Sequence, residues 1–475
     1  MFHRFLIAAA LAALPGLALA DSVTHLKNQP PDGAQETFLL TDGTVLAHGY
    51  NGTDFWVLTP DKTGSYVNGT WKQVGSLQSG YSPSAFASQV LADGRVIVQG
   101  GEYSNGGNFT LTNQGAIYNP VKQTWSNLKH PPQWHNIGDS ASVVLADGRY
   151  FLADKLHKRG AFLDPTTMTW SDAGYTGKHD FNSEEGLTLM PDGTVFTVDV
   201  KANPKSESYD PVTQTWSNLG STKANLQGPP CCGCIHYPPK NKCYYPPGEV
   251  GPAILRPDGT VFATGALHSG ASAGHTAIYT PGKGWAAGPD FPNGDDAGDN
   301  FASLLTNGDV IVEGSSCELY SWDGSKFTAT GICGQYGGQL MLPTGQLLIG
   351  GFEVYNSTGT YKSAWQPTIS SSPSKVSRGS TYQISGTQFN GFSQAAAFGD
   401  ELEWSTNYPL VQITNSSTND VFYARTHDHS TMGVATGNKT VSTNFDVPSG
   451  METGASSLVV IANGIPSQPA SITVN

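Results

Sequence analysis

A short apolar strand, a tight turn and a second apolar strand recur seven times along the chain. The turns are Asp42-Gly43, Asp93-Gly94, Asp147-Gly148, Asp192-Gly193, Asp258-Gly259, Asn307-Gly308 and Thr344-Gly345. Their flanks are alike, as in Val90-Leu91-Ala92 before and Arg95-Val96-Ile97-Val98 after. Two apolar runs joined by Asp-Gly or Asn-Gly predict a β-hairpin, because such turns need positive φ. A second hairpin follows most of the first ones. It runs from Tyr118-Asn119-Pro120 to Trp125, Leu163-Asp164-Pro165 to Trp170, Tyr209-Asp210-Pro211 to Trp216, and Tyr279-Thr280-Pro281 to Trp285. Two hairpins make a four-stranded unit that cannot bury both faces alone, so the units must stack. The recurring Trp and Tyr are then the packing between neighbours.

Successive turns stand from 37 residues apart (Asn307 to Thr344) to 66 apart (Asp192 to Asp258). That period resembles kelch repeats. The expected fold is all-β: a seven-bladed kelch-type β-propeller over residues 21–366. Residues 367–475 lack the hairpin repeat and hold alternating strands such as Ser457-Leu458-Val459-Val460-Ile461. They are expected to form an immunoglobulin-like β-sandwich. Fifty-six Gly and thirty Pro with 13% charged residues suit many short strands and tight turns.

Residues 1–20 read as a secretory signal: Arg4, an apolar run from Phe5 to Leu14, and Ala18-Leu19-Ala20 as the cleavage site. The expected location is extracellular. Six cysteines fit an oxidising compartment. Cys231, Cys232, Cys234 and Cys243 crowd one loop, and Cys317 and Cys333 follow; all are expected in disulfides, with the connectivity open. Six sequons begin at Asn51, Asn68, Asn108, Asn356, Asn415 and Asn438, which in a glycosylating host would make a glycoprotein. A net charge of −13 argues against nucleic acid as a partner. No apolar run is long enough for a membrane span. The chain is expected to act as a monomer.

The layout resembles the galactose oxidase and glyoxal oxidase group of secreted enzymes. In the tail the resemblance rests on Gly379-Ser380-Thr381-Tyr382-Gln383-Ile384, on Tyr423-Ala424-Arg425-Thr426-His427-Asp428-His429-Ser430, and on Asn463-Gly464-Ile465-Pro466-Ser467. The group binds copper through two tyrosines and a histidine of inner propeller strands and one histidine of the C-terminal domain. The resemblance makes His427 and His429 candidate metal ligands, on a hairpin reaching towards the channel. It is not matched elsewhere: Gln335-Tyr336-Gly337 stands where a Tyr-His pair is expected, and Ala85 where a tyrosine is expected.

Eight residues before each turn lies the expected start of the inner strand, facing the channel. That register holds Ala34, Ala85, Asp139, Glu184, Val250, Asp299 and Tyr336, with Glu36, Glu185 and Glu249 adjacent. The third to sixth blades thus bring acids to one ring. The preceding loops add Trp134 and His135, then His179 and Asp180. The candidate catalytic residues are Asp139, Glu184, Glu185, Glu249, Asp299, His135, His179 and Tyr336. Trp134, Asp180 and His236 are candidates for holding substrate. Paired carboxylates can cleave a glycosidic bond. His and Tyr336 can take the proton next to a uronate carboxyl, as a lyase needs. Carboxylates with imidazole can also hold a divalent metal: Ca by oxygens, Zn or Cu by His. Acids at strand starts also cap loops, and the Cys231 to Cys243 loop also has spacings seen in zinc sites. The expected function is a carbohydrate-active hydrolase or lyase on an extracellular poly- or oligosaccharide. The alternatives are a non-catalytic glycan- or protein-binding propeller and a copper radical oxidase.

Overall fold

A computed structural model describes residues 20–230, 232–237 and 241–475. Nearly all of the expected signal segment and Cys231 lie outside the described residues.

The repeated turn closes as a three-residue loop. In the first, Gly43 N–H donates to Leu40 O (3.0 Å) and Leu40 N–H to Thr44 O (2.8 Å). Only the glycine takes positive φ, from 75° at Gly43 to 92° at Gly308. The Asp or Asn before it keeps negative φ and caps the turn: Thr44, Arg95, Thr194 and Thr260 each donate N–H to the side-chain oxygen of Asp42, Asp93, Asp192 or Asp258 (all 3.0 Å). The turn is therefore a type I turn followed by a bulged glycine, rather than the two-residue form that places two residues at positive φ.

Seven blades follow, each a four-stranded antiparallel unit. Blade 3 is representative: Ser142–Val144, Tyr150–Ala153, Gly160–Asp164 and Thr169–Asp172. Its second strand is buried at every position and its outermost strand is largely exposed, because blades cover one another near the axis and part at the rim. Blade 7 takes its outer strand from the other end of the chain: Ser22–His25 pairs with Glu353–Asn356 and closes the ring. The aromatic residues pack where stacking requires them. Phe55 meets Trp125 (4.5 Å between ring centroids), Phe151 stacks on Tyr209 (5.0 Å), and Phe262 stacks on Trp322 (3.8 Å), each pair spanning two blades.

The tail, from Thr368 to Val474, is a sheet-rich domain compatible with a β-sandwich. Its strands join through Val421–His427, which pairs with both Leu410–Asn415 and Val441–Asp446. Ile384 and Phe445 of one half share a core with Val411, Ile413, Leu458 and Val460 of the other. The domain sits on the Asp-Gly turns: Thr426 N–H donates to Thr41 O (3.0 Å), Arg425 to Asp93 O (3.3 Å), and Met432 N–H to Ala146 O (3.0 Å). The acid register lies at the opposite ends of the inner strands. Among the described residues no helix is long and apolar enough to cross a membrane.

Candidate functional site

The channel is not an empty bore. A segment of the tail enters it: Ala396–Ala397 pairs with Ala302 and Ser303 on the inner strand of blade 6. Leu304 N–H donates to Ala395 O (2.8 Å), and Gln394 Oε1 accepts from Leu189 N in blade 4 (2.7 Å). The fit is close, since a Cβ on Gly186 would lie 2.2 Å from Gly399 O. Trp404 is buried against Phe301 (5.0 Å) and anchors the returning limb. Asp400, Glu401 and Glu403 ride on this segment and are all buried.

At the register that the sequence picks out, the backbone turns left-handed. Ala85, Glu184, Asp299 and Tyr336 have φ of 50°, 58°, 50° and 49°. Four non-glycine residues at equivalent places in a strained conformation mark a feature that the surrounding blades impose.

Lys155, in the turn that follows the second strand of blade 3, is buried among these acids. Its ammonium contacts Asp139 Oδ2 and lies 2.6 Å from Glu184 Oε1. Tyr244, from the cysteine-bearing loop, donates its hydroxyl to the same Glu184 oxygen, and Ser183 Oγ lies 3.0 Å from it. Glu102, Glu249, Asp299, Asp400 and Glu401 complete a carboxylate cluster that Lys155 alone cannot neutralise. Burial opposes ionisation of Glu184. The charge of Lys155 and hydrogen bonds from Asp400, Lys155 and Tyr244 outweigh it and pull its pKa down to about 2. The others shift upward. Burial, then the charges of Glu184 and Asp299, raises Glu249 to about 10. Burial, then Glu184 and Glu401, raises Glu102 to about 7. Burial drives Asp139, Asp400 and Glu403 well above the usual range and also raises Glu401. Asp299 is open to water within the channel yet walled by protein, and that enclosure, with Glu401 and Glu184, lifts it too. One ionised carboxylate thus stands among several carboxylic acids.

Of the acids expected at the ring, Asp139, Glu184, Glu249 and Asp299 come together. Glu185 does not join them. Its carboxylate lies 2.6 Å from Lys178 Nζ, in a second buried cluster with Glu207 (2.7 Å from Lys178) and Asp199. His179 belongs to that second cluster, with Nδ1 2.5 Å from Asp199 and its N–H on Glu207 (2.6 Å). Burial raises Asp199 to about 7 there. Asp180 is half-buried, and neither of its carboxylate oxygens has a partner among the described residues. Glu36 pairs with buried His48 (2.7 Å) in blade 1.

Tyr336 is exposed; its N–H donates to Glu313 (2.7 Å) and its hydroxyl reaches Ser315 O (3.4 Å), and among the described residues it makes no hydrogen bond to the Lys155 cluster. Trp134 is buried under the Arg159 guanidinium (5.0 Å), so its ring offers no open face to a sugar. His135 is exposed beside a cavity described below. His236 is exposed on the strand Ile235–Tyr237, which pairs with Lys242–Tyr244, and faces Asn241 O (3.3 Å). Cys234 pairs with Cys243 and Cys317 with Cys333, which leaves the sulfurs beside His236 bonded to each other.

The two tail imidazoles stay in the tail. His429 is buried, with Nδ1 2.8 Å from Thr443 Oγ1, and burial lowers its pKa to about 3. His427 lies between Asp428 (2.8 Å) and Asp446 (3.2 Å). The part of the tail that reaches the channel is Ala396 to Trp404, which carries acids instead of histidines. Copper favours imidazole and thiolate, and among the described residues no imidazole touches the Lys155 cluster. The donor set does not fit a copper centre. A hard cation fits better: Asp139, Asp400 and Glu401 each offer an oxygen, all within 4.8 Å of one another.

Sequence reasoning missed Lys155, Tyr244, Glu102, Asp400 and Glu401. Asp400-Glu401-Leu402-Glu403 left a trace, as three acids in four residues of a chain with few charges. Lys155 left a weaker one, as a lysine closing an apolar strand.

No known protein family matches the sequence, and no curated protein matches it. Solved structures resemble it in fold. A fungal alcohol oxidase of the AA5 family, solved with copper, is 13% identical; the alignment covers 96% of this chain and 99% of that one, at a TM-score of 0.52. A streptogramin B lyase is 10% identical, covering 71% of this chain and 97% of that one, at a TM-score of 0.46, too loose a superposition to carry an argument. The first likeness is one of fold alone.

Proposed function

We propose that this chain is a secreted glycan-cleaving enzyme whose acid–base chemistry takes place at the Lys155 cluster. The observation that carries the reading is the divergence of neighbouring carboxyls: Glu184 is held ionised by Lys155 and Tyr244, while Glu102 and Glu249 hold protons near neutral pH. Environments that split the pKa values of adjacent acids assign them opposite roles. Glu102, half-protonated near pH 7, serves as the acid that protonates the leaving oxygen. Glu184 supplies the negative charge that stabilises an oxocarbenium-like sugar or directs water onto it. Hydrolysis has more support than elimination, because the imidazoles and Tyr336 that a lyase would use stand apart from the cluster. The two disulfides support an extracellular setting.

The test is a panel of oligosaccharides read by new reducing ends and by absorbance of unsaturated uronates. New reducing ends without that absorbance, lost in Glu184→Gln, are the expected result. If no glycan is cleaved while some are bound, the chain is a binding propeller and this reading falls. Peroxide release from alcohols with bound copper would favour an oxidase instead.

A further inference from the structure

Beside the acidic channel lies a cavity of opposite character. Its volume is about 290 Å³, and His135, His157, Arg159, Lys242, Tyr237 and Leu156 line it. Two cations, Arg159 and Lys242, and two imidazoles thus converge in a protein with only 25 Lys and Arg and a net charge of −13.

The cavity is braced. Buried Asp154 accepts from Arg159 Nε (2.7 Å) and from Leu156 N–H (3.0 Å), and lies 3.0 Å from His157 Nδ1. Arg159 also lies over the Trp134 ring. These contacts use the Nε edge and one face of the guanidinium. Neither of its Nη groups makes a hydrogen bond, and the Lys242 ammonium makes neither a hydrogen bond nor an ion pair, among the described residues. A fixed guanidinium with two free Nη groups matches a planar anion.

The position relative to the acids is set by one strand pair. Cys234–Cys243 staples Ile235–Tyr237 to Lys242–Tyr244. Tyr244 reaches Glu184, while Tyr237 and Lys242, cross-strand partners, line the cavity. Leu156 follows Lys155 directly and packs against Tyr237, Tyr244 and Leu111. A chain of sugars crossing from one site to the other would pass over this small apolar bridge.

We propose that this cavity is a subsite for the anionic group of an acidic sugar, which makes the substrate a charged glycan. The inference rests on the glycan reading of the channel, and it specifies the class. A carboxylate of a uronic acid and a sulfate ester share the required chemistry.

The experiment is calorimetric binding of three probes to full-length protein carrying Glu184→Gln, which slows turnover enough for binding to be read. The probes are a galacturonate trimer, a sulfated galactose trimer and the neutral galactose trimer. At least one charged probe is expected to bind roughly tenfold more tightly than the neutral one, and Arg159→Gln to remove that advantage. Lys242→Ala, at an exposed position with no packing role, is expected to weaken it about threefold and to flatten its salt dependence. Whichever charged probe responds identifies the source of the anion. Equal binding of all three, or charged-probe binding that both substitutions leave intact, overturns the subsite. Cleavage of a neutral glycan with that result would leave the channel reading standing; charged-probe binding without cleavage by the unsubstituted protein would do the reverse.

Discussion

The ammonium of Lys155 lies 2.6 Å from Oε1 of Glu184, and the two side chains come from successive blades. Both are buried, so each depends on the other for solvation that water would otherwise provide. The tail contributes to the same cluster through Asp400, a hydrogen-bond partner of Glu184.

Removing the cation should therefore destabilise the fold. Lys155→Met is expected to cost about 3–5 kcal/mol at pH 7, the range for breaking a buried ion pair. The deficit should shrink near pH 4, where more of the remaining acids carry protons. Thermal melts at both pH values check this, and a deficit independent of pH would show that the carboxylates do not repel one another.

Stability should depend on pH in a direction opposite to ordinary acid denaturation over most of the range. Glu102 and Glu249 titrate at about 7 and about 10 when folded, against 4.5 as the ordinary value. The folded state then binds more protons than the unfolded state, so their contribution is full below about 4.5 and is lost as pH rises through 7 and 10. Glu184 acts the other way: at about 2, its contribution is present above 4.5 and is lost as pH falls to 2. Guanidinium unfolding should show a maximum between about pH 4 and 6. A flat profile from pH 5 to 9 would refute the burial of unpaired acids.

Adjacent glutamates should give different phenotypes. Glu184→Gln is expected to reduce turnover by about 10²–10⁴-fold. Glu185→Gln removes a partner of buried Lys178 and should lower the melting temperature, with kcat/KM little changed in protein that remains folded. Steady-state kinetics paired with melts distinguish the two, and equal loss of turnover in both variants would contradict the geometry.

A hard divalent cation should relieve the crowding of Asp139, Asp400 and Glu401. Calcium or manganese at millimolar concentration is expected to raise the melting temperature at pH 7, and Asp400→Asn to abolish the shift. Calorimetric titration with the metal alone provides the affinity. No shift in the unsubstituted protein would leave proton sharing as the sole compensation.

The hairpin that carries Tyr244 is held by Cys234–Cys243. Replacing both cysteines with serine should leave propeller stability nearly unchanged, because the loop it closes is short and lies outside the blades. Turnover should fall, since Tyr244 loses its fixed approach to Glu184. Restored turnover on re-oxidation should appear only in the unsubstituted protein after mild reduction.

Much of the fold was legible because its cause is local. Each Asp-Gly turn carries its own capping oxygen and its own left-handed residue, and each blade repeats the same apolar strands. The register counted back from those turns located Asp139, Glu184 and Asp299 for the same reason. The expected roles of Glu185 and of the tail histidines rested on proximity in sequence and on resemblance. Glu184 sits in a turn at a φ of 58°, ahead of the strand Thr188–Leu189, and that left-handed residue sends the side chains of Glu184 and Glu185 into different clusters.

The sequence by itself determined the seven hairpins, the aromatic layers between blades and the ends of the strands that gather acids. Only the tertiary structure decided that Lys155 would be their counter-charge, that Tyr244 would descend from a disulfide hairpin to Glu184, and that Ala396 to Trp404, instead of His427 and His429, would occupy the channel. The physical reason is range. Turns and strands are fixed by interactions among neighbours in the chain, whereas a buried cluster of charges is fixed by which distant segments the closed ring forces into one small, poorly hydrated volume.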